Sequence, residues 1–94
     1  MKRFVWSSEK NEVLKRERGV SFEEVLVQIA NGEILDILKH PNANKYPNQQ
    51  IFVLKIEDYA YLVPFAESEE EIFLITIIPS RKATRDYLGG KKHE

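Results

Sequence analysis

The sequence contains no cysteine. That absence excludes a disulfide scaffold, a thiolate metal site and a cysteine nucleophile. Histidine is almost as scarce: only His40 and His93 occur, and His93 stands in the C-terminal tail. A metal site would have to join His40 to Asp36 and scattered glutamates, which lack the close spacing of a ligand set. Long apolar runs are missing too. The longest, Phe73–Pro79, is interrupted by Thr76 and falls far short of the ~20 residues of a membrane-spanning helix. After the basic start Met1-Lys2-Arg3, only Phe4-Val5-Trp6 is apolar, so no secretory leader is expected. The expectation is a soluble, cytoplasmic protein. No Gly-rich phosphate loop, His-Glu-x-x-His or Gly-x-Ser-x-Gly occurs, which sets those chemistries aside.

What is present is ordinary for a globular chain. Ninety-four residues, 43% apolar and 31% charged, suffice for one domain with one modest core. That domain is expected to span residues 1–90, with 91–94 a frayed tail. The net charge of -1 hides a segregation. Residues 1–18 carry six Lys/Arg against three acids, and residues 80–94 carry five against two. The segment between them carries three against ten. Such a balance argues against nonspecific coating of nucleic acid, yet permits a local cationic site.

The order of elements follows from local signals. Phe4-Val5-Trp6 predicts a short strand, and Ser7 or Ser8 can cap a charged helix over about 8–18 that Gly19 stops. Ser21-Phe22-Glu23-Glu24 fits a capping box, with Val20 and Val25 positioned as a hydrophobic staple. Phe22, Val25, Leu26, Ile29 and Ala30 then line one helical face until Asn31-Gly32. Glu33–Lys39 is apolar enough for a strand but does not alternate cleanly. His40 to Gln49, with two prolines and three asparagines, predicts a loop. Gln50–Ile56 and Tyr59–Ala66 predict strands joined tightly at Glu57-Asp58, with Pro64 demanding a bulge or an unpaired edge. Ile72–Ile78 predicts a last strand buried on both faces, and Arg81–Leu88 a final helix capped by Ser80. The fold class is therefore α+β: a short N-terminal strand plus a four-stranded antiparallel meander, with two N-terminal helices and one C-terminal helix. One core is expected to join Val13, Leu14, Phe22, Val25, Leu26 and Ile29 to Phe52, Leu54, Ile56, Phe73 and Ile75.

Two clusters carry candidate chemistry. Arg81, Lys82 and Arg85 open the last helix, where cations oppose the helix dipole and gain nothing locally. Three of them within a turn and a half suit a phosphate, Arg through its planar fork and Lys as a point charge. The alternative is pairing with Glu67–Glu71 or with a partner protein. Lys45 and Tyr46, in the loop, form a cation-plus-aromatic pair of the kind that stacks and holds RNA. His40 is the one histidine outside the tail and so a candidate for proton transfer, or simply a turn residue before Pro41.

Phe4-Val5-Trp6, Lys10-Asn11, Leu14 and Gly19-Val20-Ser21-Phe22-Glu23-Glu24-Val25 resemble the opening of the BrnT family of toxins from bacterial type II toxin–antitoxin systems. Ile77-Ile78 followed by Arg81-Lys82-Ala83-Thr84-Arg85 resembles that family's closing strand and basic helix. The chain departs from the family pattern at Lys45–Gln50, where no acidic–arginine pair stands, and at Pro79, where the family usually has serine. The resemblance implies a RelE-like fold and endoribonuclease activity without a metal or other cofactor, inhibiting translation. It implies a partner as well: a small cognate antitoxin, of ribbon-helix-helix or similar DNA-binding type, in a complex that can assemble further. The expected mechanism is attack of the ribose 2′-OH on the adjacent phosphate. Arg81 and Lys82 would face that phosphate, His40 would move a proton, and Lys45, Tyr46 and Arg85 would hold the RNA strand. The competing expectation is a non-enzymatic module that docks a small DNA-binding partner and modulates transcription.

Overall fold

The computed structural model describes residues 2–89. The order of elements is β1 (Arg3–Trp6), α1 (Ser8–Arg18), α2 (Phe22–Ala30), β2 (Ile34–Lys39), β3 (Gln49–Ile56), β4 (Tyr59–Glu67), β5 (Glu71–Leu74), β6 (Ile78–Pro79) and α3. The last helix opens with one α turn, Arg81–Ala83, and continues as a π turn, Thr84–Leu88. The fold is α+β. No helix among the described residues is long and apolar enough to cross a membrane. The tail expected over 91–94 lies outside the described residues.

Capping chemistry fixes both N-terminal helices. Ser7 accepts from the Lys10 N–H at the start of α1, and Gly19 ends it with φ 69°, a left-handed conformation that only glycine adopts without strain. The Ser21–Glu24 capping box opens α2 with both reciprocal bonds made. Asn11 then joins the two helices. It is buried, its Oδ1 accepts from the Phe22 N–H at 2.8 Å, and its Nδ2 donates to Glu23 at 2.8 Å.

The sheet runs β1-β5-β4-β3-β2, antiparallel throughout the meander, with β1 added parallel to β5 at one edge. Strand alternation sends Phe52, Leu54 and Ile56 of β3 to the face under α1 and α2, together with Val63 and Phe65 of β4 and Leu74 of β5. Leu14, Phe22 and Val25 close this core from the helices, and Trp6 stacks on Phe22 with ring centroids 5.6 Å apart. Full burial of a side chain such as Phe22 contributes about 1.5–3 kcal/mol. The irregular alternation of β2 is explained by a bulge between Ile34 and Asp36. The extra residue leaves Leu35 packed on the opposite face.

Three core expectations are corrected. Phe73 is 41% exposed, and Ile75 lies outside the core. The expected strand over 72–78 is in fact two, β5 and β6, separated at residues 75–77. Pro64 supplies the reason. Its carbonyl accepts from the Ile75 N–H, so its backbone faces this neighbour, where the ring leaves no N–H to continue the ladder. The chain leaves the ladder only over residues 75–77 and rejoins β4 as β6 with one extra residue, and Ile77 turns inward to become fully buried. Within the intact part, alternation puts Ile72 and Leu74 on the helix side and Phe73 on the other. Ile78 is likewise exposed, at 38%, so the segment is not buried on both faces. Val13 is half-buried and is not part of the core.

Candidate nucleic-acid interface

The second face of the sheet is covered only in part. α3 lies across β4 and β3 and buries Ala83 against Val53 and Ala60, with Leu35, Leu62, Tyr87 and Leu88 packed around them. Polar contacts fix its position: Thr84 Oγ1 accepts from the Ala60 N–H at 2.8 Å, and Tyr87 donates to Asp36 at 2.7 Å. That bond, with the Ile37 N–H as a second donor, holds the Asp36 carboxyl below the usual carboxylate range and pushes the Tyr87 phenol up. Beyond α3 the register aligns Val5, Phe73 and Ala66, then Pro64, Ile51 and Leu38, in a band that no described element covers. Leu38 is 38% exposed.

The basic turn borders this band. Lys82 and Asp86 line a shallow depression with Leu38, Val53 and Leu62. Ser80 caps the turn by accepting from the Ala83 N–H. Lys82 donates to Asp86 at 2.8 Å, and Arg85 Nε stands 3.6 Å from the same carboxylate, which lowers the Asp86 pKa, the Lys82 bond being the main cause. Arg81 is exposed and makes no side-chain hydrogen bond or ion pair among the described residues. Three cations against one carboxylate leave the turn positive. The acidic segment offered as an alternative partner pairs elsewhere: Glu67 with Lys2 and Glu71 with Arg3.

At the other end of the band stands the loop between β2 and β3, ordered by its own hydrogen bonds. The N–H groups of Lys45 and Tyr46 both donate to the Asn42 carbonyl, and the Asn48 carbonyl accepts from the Glu67 N–H. His40 packs on Tyr46 with centroids 4.5 Å apart, and Lys45 Nζ lies 5.5 Å from the same ring. The Asn42 N–H donates to His40 Nδ1 at 2.9 Å. With Nδ1 accepting, the neutral imidazole carries its proton on Nε2. His40 therefore offers a donor outward.

The sequence-derived residues thus form two groups, His40–Lys45–Tyr46 and Arg81–Lys82–Arg85, each internally in contact or contiguous, with no contact between the groups. They share one sheet face, with the open apolar band between them. Sequence reasoning missed Phe73, which lines a cleft of about 460 Å³ with Lys45, Tyr46, Gln49 and Ala66. Its outward placement follows from the alternation of β5, which the unbroken apolar run after residue 71 hides in sequence. Neither the comparison with models of known protein families nor that with curated proteins gives a match for this chain.

Proposed function

We propose that this protein is an RNA-cleaving toxin of a type II toxin–antitoxin pair, acting as a metal-independent endoribonuclease that inhibits translation. The observation that carries the reading is the sheet face just described: an open apolar band with a positive helix turn at one end and a cation–aromatic loop at the other. An RNA strand laid along it meets Arg81 and Lys82 at a phosphate and Lys45 and Tyr46 further on, with Arg85 as a peripheral contact. In the reaction the 2′-oxygen attacks phosphorus, its proton leaves to a base or to water, and the 5′-oxygen departs with a proton, giving a cyclic phosphate. Arg81 stabilises the charge that grows on the non-bridging oxygens. His40 donates a hydrogen bond through Nε2 and orients the strand at the loop end. A small antitoxin with an acidic segment would inhibit by covering the same cations, in an association that weakens with salt.

The test is incubation of the purified protein with a defined single-stranded RNA in the presence of a chelator. Cleavage that persists there and is blocked by the cognate antitoxin supports the reading. Intact RNA at high enzyme concentration refutes it. A second reading, a non-catalytic docking module, draws on β2. This edge strand is unpaired on its outer side among the described residues, with Ile37 47% exposed, a form open to strand addition by a partner. That reading requires growth to continue normally when the protein is expressed alone.

A further inference from the structure

We infer that the cleft beside Phe73 is a nucleobase subsite: one unpaired base of the RNA strand stacks on the Phe73 ring. The inference rests on the proposed action on RNA and adds a residue and a ligand group to it. Phe73 occupies the sheet face opposite the core, 41% exposed, in a cleft of about 460 Å³ shared with Lys45, Tyr46, Asn48 and Gln49. That volume falls in the ~300–1,000 Å³ range of sites that enclose small ligands. Of the two rings in the cleft, Tyr46 is already engaged by His40 and by the Lys45 ammonium. Phe73 has no aromatic or cationic partner among the described residues, so its π-face is the one left for a ligand. Exposed phenylalanine on a β-strand is a sequence-tolerant platform for unstacked bases.

The surrounding polar groups favour a base over an apolar peptide side chain. The side-chain amides of Asn48 and Gln49 carry no hydrogen bond among the described residues, and amides present both a donor and an acceptor to a base edge. Two carboxylates line the cleft, yet Glu67 is paired with Lys2 and Glu71 with Arg3, so neither faces the ligand as an uncompensated charge. Glu69 and Glu70 lie at the turn beyond, where no cation is paired with them among the described residues. They repel phosphate, so a strand whose base sits on Phe73 leaves along Lys45 and the open band toward Lys82. This polarity gives the cleft a direction as well as a ligand.

The experiment uses the full chain and a short single-stranded RNA with a fluorescent adenine analogue at successive positions. Binding is read by titration and stacking by quenching of the fluorophore. In the parent protein one position should be strongly quenched. Phe73→Ala and Phe73→Leu should each weaken binding by ~10-fold or more and abolish that quenching, while Phe73→Trp retains both. An abasic residue at the quenched position should weaken binding to the parent and leave Phe73→Ala unaffected. Melting temperatures near the parental value in all three variants keep the comparison valid, because Phe73 lies outside the core. RNA binding unchanged in Phe73→Ala, with the fluorophore unquenched in the parent, overturns this subsite and leaves the RNA reading standing. No binding of any RNA by the parent overturns both. Protection of Phe73 by a protein partner instead of RNA assigns the cleft to that partner and refutes the subsite.

Discussion

Asn11 offers the most direct test of how the two N-terminal helices are held. It is 3% exposed and satisfies the Phe22 N–H, one of the donors that every helix leaves open in its first turn. Asn11→Ala removes the side-chain acceptor and leaves that buried N–H without a protein partner. Leaving a buried backbone donor unpaired costs ~1–3 kcal/mol. The second bond, from Nδ2 to the exposed Glu23, adds less, because solvent can replace it. A total of about 2–3 kcal/mol corresponds to a fall of roughly 10–20 °C in melting temperature for a domain of this size. Glu23→Ala removes only solvent-facing bonds and should lower the melting temperature by only a few degrees, ~1 kcal/mol or less. Thermal unfolding followed by circular dichroism decides between them. Equal losses in the two variants would refute the reasoning, since they would mean that the buried N–H carries no special weight. Asn11→Asp sharpens the test. It keeps the acceptor for Phe22 but sets a second carboxylate against Glu23, so its loss of stability should shrink as the pH is lowered.

Other consequences are open to measurement. Arg81→Ala should slow cleavage of a defined RNA by ~10²-fold or more while stability shifts by no more than ~0.5 kcal/mol, and Arg85→Ala should have the smaller effect on rate; equal rates for parent and Arg81→Ala remove Arg81 from the mechanism. Glu57 and Asp58 turn the β3–β4 hairpin with φ 51° and 66°, conformations that cost residues other than glycine ~1 kcal/mol. Asp58→Gly should therefore raise the melting temperature by a few degrees, about 0.5–1 kcal/mol, and a fall would show that the turn is not strained. The Asn11 bond, with a backbone N–H second, holds the Glu23 carboxyl below its usual range, so this group stabilises the fold above the unfolded carboxylate pKa. That stability is lost as the pH falls through the lower folded value, and Glu23→Gln should flatten the acid side of a melting-temperature profile by its share.

Local chemistry made much of this fold legible. The capping box at Ser21–Glu24, the Gly19 stop and the apolar face from Phe22 to Ile29 are short-range signals, and each appears where the residues require it. The β3 face was readable because Phe52, Leu54 and Ile56 alternate with a charged position at Lys55. The segment after residue 71 was not, since six apolar side chains in the seven positions 72–78 give no alternation to follow. Its division into β5 and β6 depends on Pro64, a residue in a different strand that can act only once the two lie side by side. The bulge at Leu35 is a similar case: it shifts the parity of β2, which sequence shows only as imperfect alternation.

The site follows the same division between local and distant causes. Arg81, Lys82 and Arg85 stand out in sequence because cations at a helix start work against the dipole. Lys45 and Tyr46 stand out because a cation beside an aromatic ring is a compact binding pair. What sequence could not supply was their relation, which is set by how α3 crosses the sheet. The Ser80 cap, the Thr84 bond to Ala60 and the Tyr87 bond to Asp36 fix that crossing over one part of the face. Had α3 extended further toward β5, it would have covered Phe73 and closed the band between the two clusters. The short helix therefore has two consequences at once. It buries Val53 and Ala60 enough to secure the sheet, and it leaves an apolar surface whose two ends are cationic. A surface of that kind suits a ligand with flat apolar faces and a charged backbone, the chemical description of a single RNA strand.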